Sequence, residues 1–292
     1  MPELPEVEIA RRSLARWAAG RRVEAVRVPD PGAIRTHLST RPSDALPDGP
    51  ARLARSLVGA RAEVPRRHGK RLGWAFTDPG AAVLAHLGMS GRFVHGDRTG
   101  TFRHGRLALD LDDGTTVWFV DPRRFGGFTP IAPERLTEAI AEGLGPDALA
   151  DRLSADALRE RLAGRRAIKV ALLDQAKIAG VGNIQAAEVL WRARVHPEAR
   201  ATDLDEDAWE RLAAVIPAQL ERVVAAEDDG ELRYLQEAGV DNPFEVYGRV
   251  DQPCPRCATP IARAVQAGRA TFWCPGCQRR PTRDTGAGRS SR

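Results

Sequence analysis

The chain has 292 residues, 42% hydrophobic and 28% charged, a composition that fits a soluble globular protein large enough for more than one core. No apolar run is long enough to span a bilayer, and residues 1–20 lack the apolar stretch of a signal peptide, so the cytoplasm is the expected compartment. The net charge of +5 is uneven: Cys254–Arg292 holds eight arginines and one acid, which leaves 36 bases against 38 acids on residues 1–253. A basic end on a near-neutral body suggests a polyanionic partner, although an ordinary basic tail has the same composition.

Residues 3–19 read as a helix in which Val7, Leu14, Trp17 and Ala18 share a face and Gly20 ends the run. From Val23 to about Phe128 the pattern is short β segments, with a hairpin expected at Asp113-Gly114, and a β-sandwich is the expected form. Beyond residues 129–133 the spacing turns helical, near 134–143, 154–163, 167–176, 184–193 and 205–225. The turn AGVGN at 179–183 joins two of these helices, and its glycines allow positive-φ backbone. Residues 226–250 read as irregular and 281–292 as a disordered tail. The fold class is thus α+β. The expected domains are a sandwich with a leading helix at 1–130, a helical domain at 131–250 and a cysteine module at 251–280.

Cys254-x2-Cys257 and Cys274-x2-Cys277 enclose sixteen residues, the spacing of a four-thiolate zinc site. One structural Zn2+ is expected, because four thiolates leave no open position for catalysis and so small a module has little core of its own. Arg269 falls in the turn between the two knuckles, where it either contacts phosphate or is simply solvated. The amino terminus, Pro2-Glu3-Leu4-Pro5-Glu6, is the second concentrated signal. Removal of Met1 exposes a secondary amine with an unperturbed pKa of about 8, able to attack an electrophilic sugar carbon. Glu3 is the adjacent candidate acid/base, and Glu6 lies three residues on along the same helical face. Taken alone, a helix start with Pro and acids in its first turn is the better explanation of these residues. Lysine is scarce, with Lys70, Lys169 and Lys177 against 41 arginines, which marks the lysines that remain.

MPELPEVE at the start, HLGMSG at 86–91, DPRRFG at 121–126, AGVGNI at 179–184 and the terminal Cys knuckles occur in one order along the chain. In that order they closely resemble the formamidopyrimidine-DNA glycosylase family over nearly all of residues 1–280. The resemblance implies a β-sandwich, a helix–two-turn–helix domain and a zinc finger, with double-stranded DNA carrying oxidised bases or abasic sites between the lobes. It implies a bifunctional glycosylase and abasic-site lyase of base-excision repair, acting as a monomer in the bacterial cytoplasm near the nucleoid.

Carried over position by position, Pro2 is the nucleophile, Glu3 the general acid and Glu6 a supporting group. Lys70 and Arg269 complete the catalytic set through phosphates near the lesion, and Asn183 with Arg269 grips those flanking the extruded nucleotide. His86 matches a further phosphate contact, with a satisfied strand histidine as its alternative. Met89, Arg123 and Phe125 match residues inserted into the void left by the base, where apolar groups replace lost stacking.

Two features depart from the family pattern: Gln185 replaces a usual Tyr, and 227–249 is shorter and lacks the Gly- and Ser/Thr-rich run of the loop that closes over 8-oxoguanine. These leave the preferred base open. LPEVE and DPRRFG favour oxidised purines over the pyrimidine-directed endonuclease VIII branch, and a catalytically silent damage-binding zinc protein is the rival from another class.

Overall fold

A computed structural model describes residues 2–78, 80–226 and 242–280. Helix α1 (Leu4–Ala18) begins at Glu3, its N-cap, whose backbone amide donates to the Glu6 side chain at 2.8 Å. Its Val7, Leu14 and Ala18 are buried as their spacing predicts, and Trp17 is half-buried, stacked on His95 at 5.3 Å.

The sandwich follows, formed by β1 (Val23–Arg27), α2 (Gly49–Leu57), β2 (Arg61–Ala62), β3 (Arg66–His68), β4 (Arg71–Thr77), β5 (Ala81–His86), β6 (Arg92–Asp97), β7 (Gly105–Leu111), β8 (Thr115–Val120) and β9 (Gly127–Ile131). One sheet has the order β1-β7-β8-β6, the other β2-β4-β5-β9 with β3 also on β4, and all these pairings are antiparallel. The β7–β8 hairpin turns where the Asp113-Gly114 pair predicts, with Gly114 at φ +84°. Trp74, Phe76 and Val83 of one sheet meet Leu109, Val117 and Phe119 of the other in a shared core. Strand β5 is buried on both faces because its Ala82 and Leu84 also pack against a following helix.

Helix α2 was not expected from the sequence. It carries its apolar signal on Leu53 and Leu57 alone, one turn apart, within a short Gly- and Pro-flanked segment, and those two side chains plug into the sandwich core.

The helical region comprises α3 (Leu136–Ala141), α4 (Ala155–Leu162), α5 (Ile168–Leu172), α6 (Asn183–Arg192) and α7 (Glu206–Ala226). Helix α3 packs on β4 and β5. The predicted 167–176 helix is shorter here, because Asp174 accepts the amides of Ala176, Lys177 and Ile178 and turns the chain towards α6. Trp209, Leu212, Ile216 and Leu220 of α7 are buried in the helical core, while Val224 reaches the sandwich core and α7 also contacts α1. The hairpin of β10 (Ala262–Gln266) and β11 (Arg269–Trp273) turns at Ala267 and Gly268, both at positive φ, and packs through Phe272 and Ile261 on Trp191 of α6. Residues 242–250 form neither helix nor strand; the rest of the irregular segment, 227–241, and the 281–292 tail lie outside the described residues.

Candidate active site

Pro2 is buried where the amino terminus meets the start of α6. Glu3, 1% exposed, receives the Ile184 amide on Oε1 at 2.8 Å and the Gln185 amide on Oε2 at 3.0 Å. Its carboxylate thus occupies the anion site that a helix N-terminus provides. The Leu4 amide donates to Gly180 O at 3.2 Å, so residues 3 and 4 are fastened to the AGVGN turn.

The two glycines of that turn act differently. Gly180 has φ +109°, and a Cβ there would also lie 2.2 Å from Leu4 Cδ1. Gly182 has an ordinary φ of −117°; it is required for room, since its Cβ would stand 2.1 Å from Glu3 Cδ. The positive-φ explanation drawn from the sequence therefore holds for Gly180 and not for Gly182.

Glu6 Oε2 accepts the Glu3 amide at 2.8 Å. Burial, then the neighbouring Glu3 charge, push the Glu6 carboxyl up to about 7, against the lowering effect of that amide. Lys70 stands in the β3–β4 turn with Nζ donating to Val181 O at 3.1 Å. Burial lowers its pKa, as does the Arg269 charge, while Glu3 and Glu6 oppose the shift.

The turn is held from behind by Arg67, whose guanidinium bonds Glu8 of α1 at 3.0 Å and also pairs with Asp147. Asp147 in turn accepts the Gly69 amide at 2.7 Å. Burial would raise the Glu8 carboxyl, but hydrogen bonds from Arg11, Arg12 and Arg67 overcome it and hold it at about 2.

Asn183, at the first turn of α6, donates through Nδ2 to Ala270 O at 3.0 Å and so meets the finger hairpin. Arg269, beside Ala270, is exposed at the start of β11, and its charge is felt at both Lys70 and Lys169. Lys169 was counted in the sequence but given no role. It is 0% exposed, and its Nζ donates to Asn183 Oδ1 at 2.7 Å, Thr271 Oγ1 at 2.8 Å and Ala270 O at 3.0 Å. Burial, then Arg269, bring its pKa down to about 8. The scarcity argument applied to Lys70 would have found it.

Met89, Arg123 and Phe125 form a second group. The Leu87–Gly91 turn carrying Met89 lies on the loop carrying the other two: a Cβ on Gly88 would come 2.3 Å from Gly126 N. Arg123 is exposed and its guanidinium sits 5.3 Å over the half-buried Phe125 ring. His86 is directed inward, with Nε2 donating to Ser39 O at 2.7 Å, the arrangement of a satisfied strand histidine.

The four Cys Sγ atoms lie within 4.8 Å of one another, with Cys254–Cys277 at 3.9 Å, Cys257–Cys277 at 3.5 Å and Cys257–Cys274 at 3.4 Å. Thiolates about 2.3 Å from a tetrahedral zinc stand about 3.8 Å apart, so the set fits Zn2+. The metal's contribution is a cross-link between the two knuckles that fixes the hairpin bearing Arg269.

Residues 1–128 match the model of the formamidopyrimidine-DNA glycosylase N-terminal domain, 144–233 that of its H2TH domain, and 251–280 that of the zinc finger found in FPG and IleRS. The formamidopyrimidine-DNA glycosylase of Nocardia farcinica is 38% identical over 97% of this chain and 100% of its own length. That of Salinispora arenicola is 39% identical over 97% and 98%. Among solved structures, the Lactococcus lactis enzyme bound to DNA containing an abasic site matches with TM-score 0.81 and 28% identity, over 96% of this chain and 100% of that one. MutM bound to DNA containing carbocyclic 8-oxo-G matches with TM-score 0.80 and 29% identity over the same shares. With all three domain models matched in order and relatives of this identity along its length, the chain belongs to the formamidopyrimidine-DNA glycosylase family.

Proposed function

We propose that the chain excises oxidised purines from double-stranded DNA and then breaks the strand, with Pro2 as nucleophile and Glu3 as general acid. The observation that carries this reading is the burial of Pro2 beside a carboxylate seated on a helix N-terminus, with Lys70 of the β3–β4 turn bonded to Val181 just ahead of that helix. Once Met1 is removed, the neutral Pro2 nitrogen attacks C1′ of the damaged nucleotide. The glycosidic electron pair leaves with the base, which takes up a proton. The Pro2 nitrogen passes its proton to Glu3, and Glu3 delivers it to the ring oxygen as the sugar opens, leaving an iminium between Pro2 and C1′. Each Glu3 oxygen keeps a lone pair beside its amide bond, so proton transfer does not require leaving the helix terminus. Loss of a C2′ proton expels the 3′ phosphate, a second elimination expels the 5′ phosphate, and water releases the sugar remnant from Pro2.

Lys70, Asn183 and Arg269 would bind the phosphates around the extruded nucleotide, while Met89, Arg123 and Phe125 would fill the void it leaves. Among the described residues no helix is long and apolar enough to cross a membrane. We place the enzyme on DNA in the bacterial cytoplasm, as a monomer. A panel of duplexes each carrying one defined lesion tests this reading. Release of formamidopyrimidine and 8-oxoguanine is expected; release confined to oxidised pyrimidines supports endonuclease VIII-like specificity, and binding without release supports a silent damage-binding protein.

A further inference from the structure

Arg35 is one of the largest fully buried side chains of the molecule, 1% exposed, and lies outside the reacting centre. Among the described residues its guanidinium has no carboxylate as a hydrogen-bond partner, and each bond it makes to oxygen ends on a main-chain carbonyl. Three of these carbonyls belong to consecutive residues: Arg124 O at 3.0 Å, Phe125 O at 3.1 Å and Gly126 O at 2.8 Å. The others, Gly32 O at 3.2 Å and Ser39 O, belong to the segment that leads from β1 to α2. Consecutive carbonyls turned to one side have no partner in a helix or ladder, and only a planar fork of five donors satisfies such a set.

The amides of the same loop are held from the opposite side. Asp121, fully buried, accepts Gly126 N at 2.7 Å and Arg123 N at 3.2 Å, and also the Ser90 hydroxyl at 2.7 Å, next to Met89. Arg124, at φ +60°, is tied down by a bidentate pair with Asp30 at 2.8 and 2.9 Å. The packing is close, since a Cβ on Gly127 would stand 2.9 Å from Arg35 Cζ. His86 joins this assembly through the Ser39 carbonyl that it shares with Arg35.

We propose that Arg35 is a positioning residue that holds the Arg123–Gly126 loop in the shape with which Arg123 and Phe125 enter the duplex. This rests on the reading above that those side chains fill the void. Burying a guanidinium without a carboxylate in contact is unfavourable, and the gain is a rigid loop whose two projecting side chains arrive already oriented.

The test uses Arg35→Met and Arg35→Lys in the full zinc-loaded chain, the second keeping the charge and one carbonyl bond should the first fail to fold. Single-turnover release of a lesion from duplex DNA is expected to fall about tenfold or more, with weaker discrimination of the opposite base. Cleavage of a single-stranded oligonucleotide with a preformed abasic site, which has no orphaned base to support, is expected to stay within about twofold. In an Arg123→Ala/Phe125→Ala background, either Arg35 substitution should add less than about twofold. Equal loss on both substrates, or full additivity with the loop double variant, overturns the proposal while leaving the void-filling role of the loop standing. If the loop double variant itself releases the lesion from duplex normally, the void-filling reading falls and the proposal with it.

Discussion

At the residue scale, two acids three positions apart sit in opposite electrostatic settings. Glu3 has two helix amides, whereas Glu6 has one amide, a desolvated position and a negative neighbour. Between the unfolded value of 4.5 and the folded value of about 7, the native state holds a proton that the unfolded chain releases, so the stability from Glu6 falls as pH rises through that window. The melting temperature of the wild type minus that of Glu6→Gln should therefore decline from about pH 5 to about pH 7 and then level off. A flat difference would contradict the assigned environment.

Chemistry and grip should also separate. Glu3→Gln should cut base release by about 100-fold or more with little change in DNA affinity. Lys70→Ala and Arg269→Ala should each weaken binding and reduce the slope of log affinity against log salt by about one. Equal binding loss in all three variants would mean that structural and catalytic roles have been exchanged. Pro2 and Glu3 stand out in the sequence as a proposed chemical motif and Lys169 by the scarcity of lysine, but Arg35 does not. Its significance lies in full burial against carbonyls remote in sequence, and arginine is too abundant here for any single one to stand out.

At the scale of elements, period and punctuation carried most of the information. The α7 face, the β7–β8 hairpin and the Cys knuckles each follow from local spacing. Helix α2 escaped because two leucines one turn apart do not establish a period, and Gly182 was misread because its neighbour Glu3 is remote in sequence. The finger shares its apolar contacts with α6 through Trp191, and its four thiolates stand where a zinc ion would cross-link them. Cys274→Ser should therefore release zinc and abolish tight DNA binding while the sandwich stays folded. Chelation should do the same, reversibly, with any metal that restores the tetrahedral site restoring activity. Full DNA affinity in metal-free protein would exclude this structural role.

At the scale of the whole molecule, the residues proposed for catalysis come together where the sandwich, the helical region and the finger meet. Arg67 and Asp147 join the Lys70 turn to the helical region, α1 packs on α7, and Lys169 ties α5 to the finger. The end of the 227–249 segment joins this frame at Asn242–Tyr247, where buried Glu188 of α6 accepts the amides of Glu245, Val246 and Tyr247. The greater part of the 227–249 segment that departs from the family pattern, residues 227–241, lies outside the described residues. A shorter loop offers fewer hydrogen-bond donors and discriminates less well in favour of a base that needs them. Release of formamidopyrimidine should therefore exceed release of 8-oxoguanine opposite C in single-turnover assays, with Arg123 preserving a preference for the opposite base. Equal rates for the two lesions would remove the loop argument.

The claim on which all of this depends is that the nitrogen of Pro2 makes the covalent bond to DNA. Borohydride reduction during turnover on a lesion-bearing duplex, followed by proteolysis and mass spectrometry, tests it most directly. The account predicts a stable protein–DNA adduct whose sugar remnant maps to an amino-terminal peptide beginning at Pro2, and no adduct when that amine is blocked. An adduct mapped to Lys70 or Lys169, or full activity from chains that retain Met1, would contradict it.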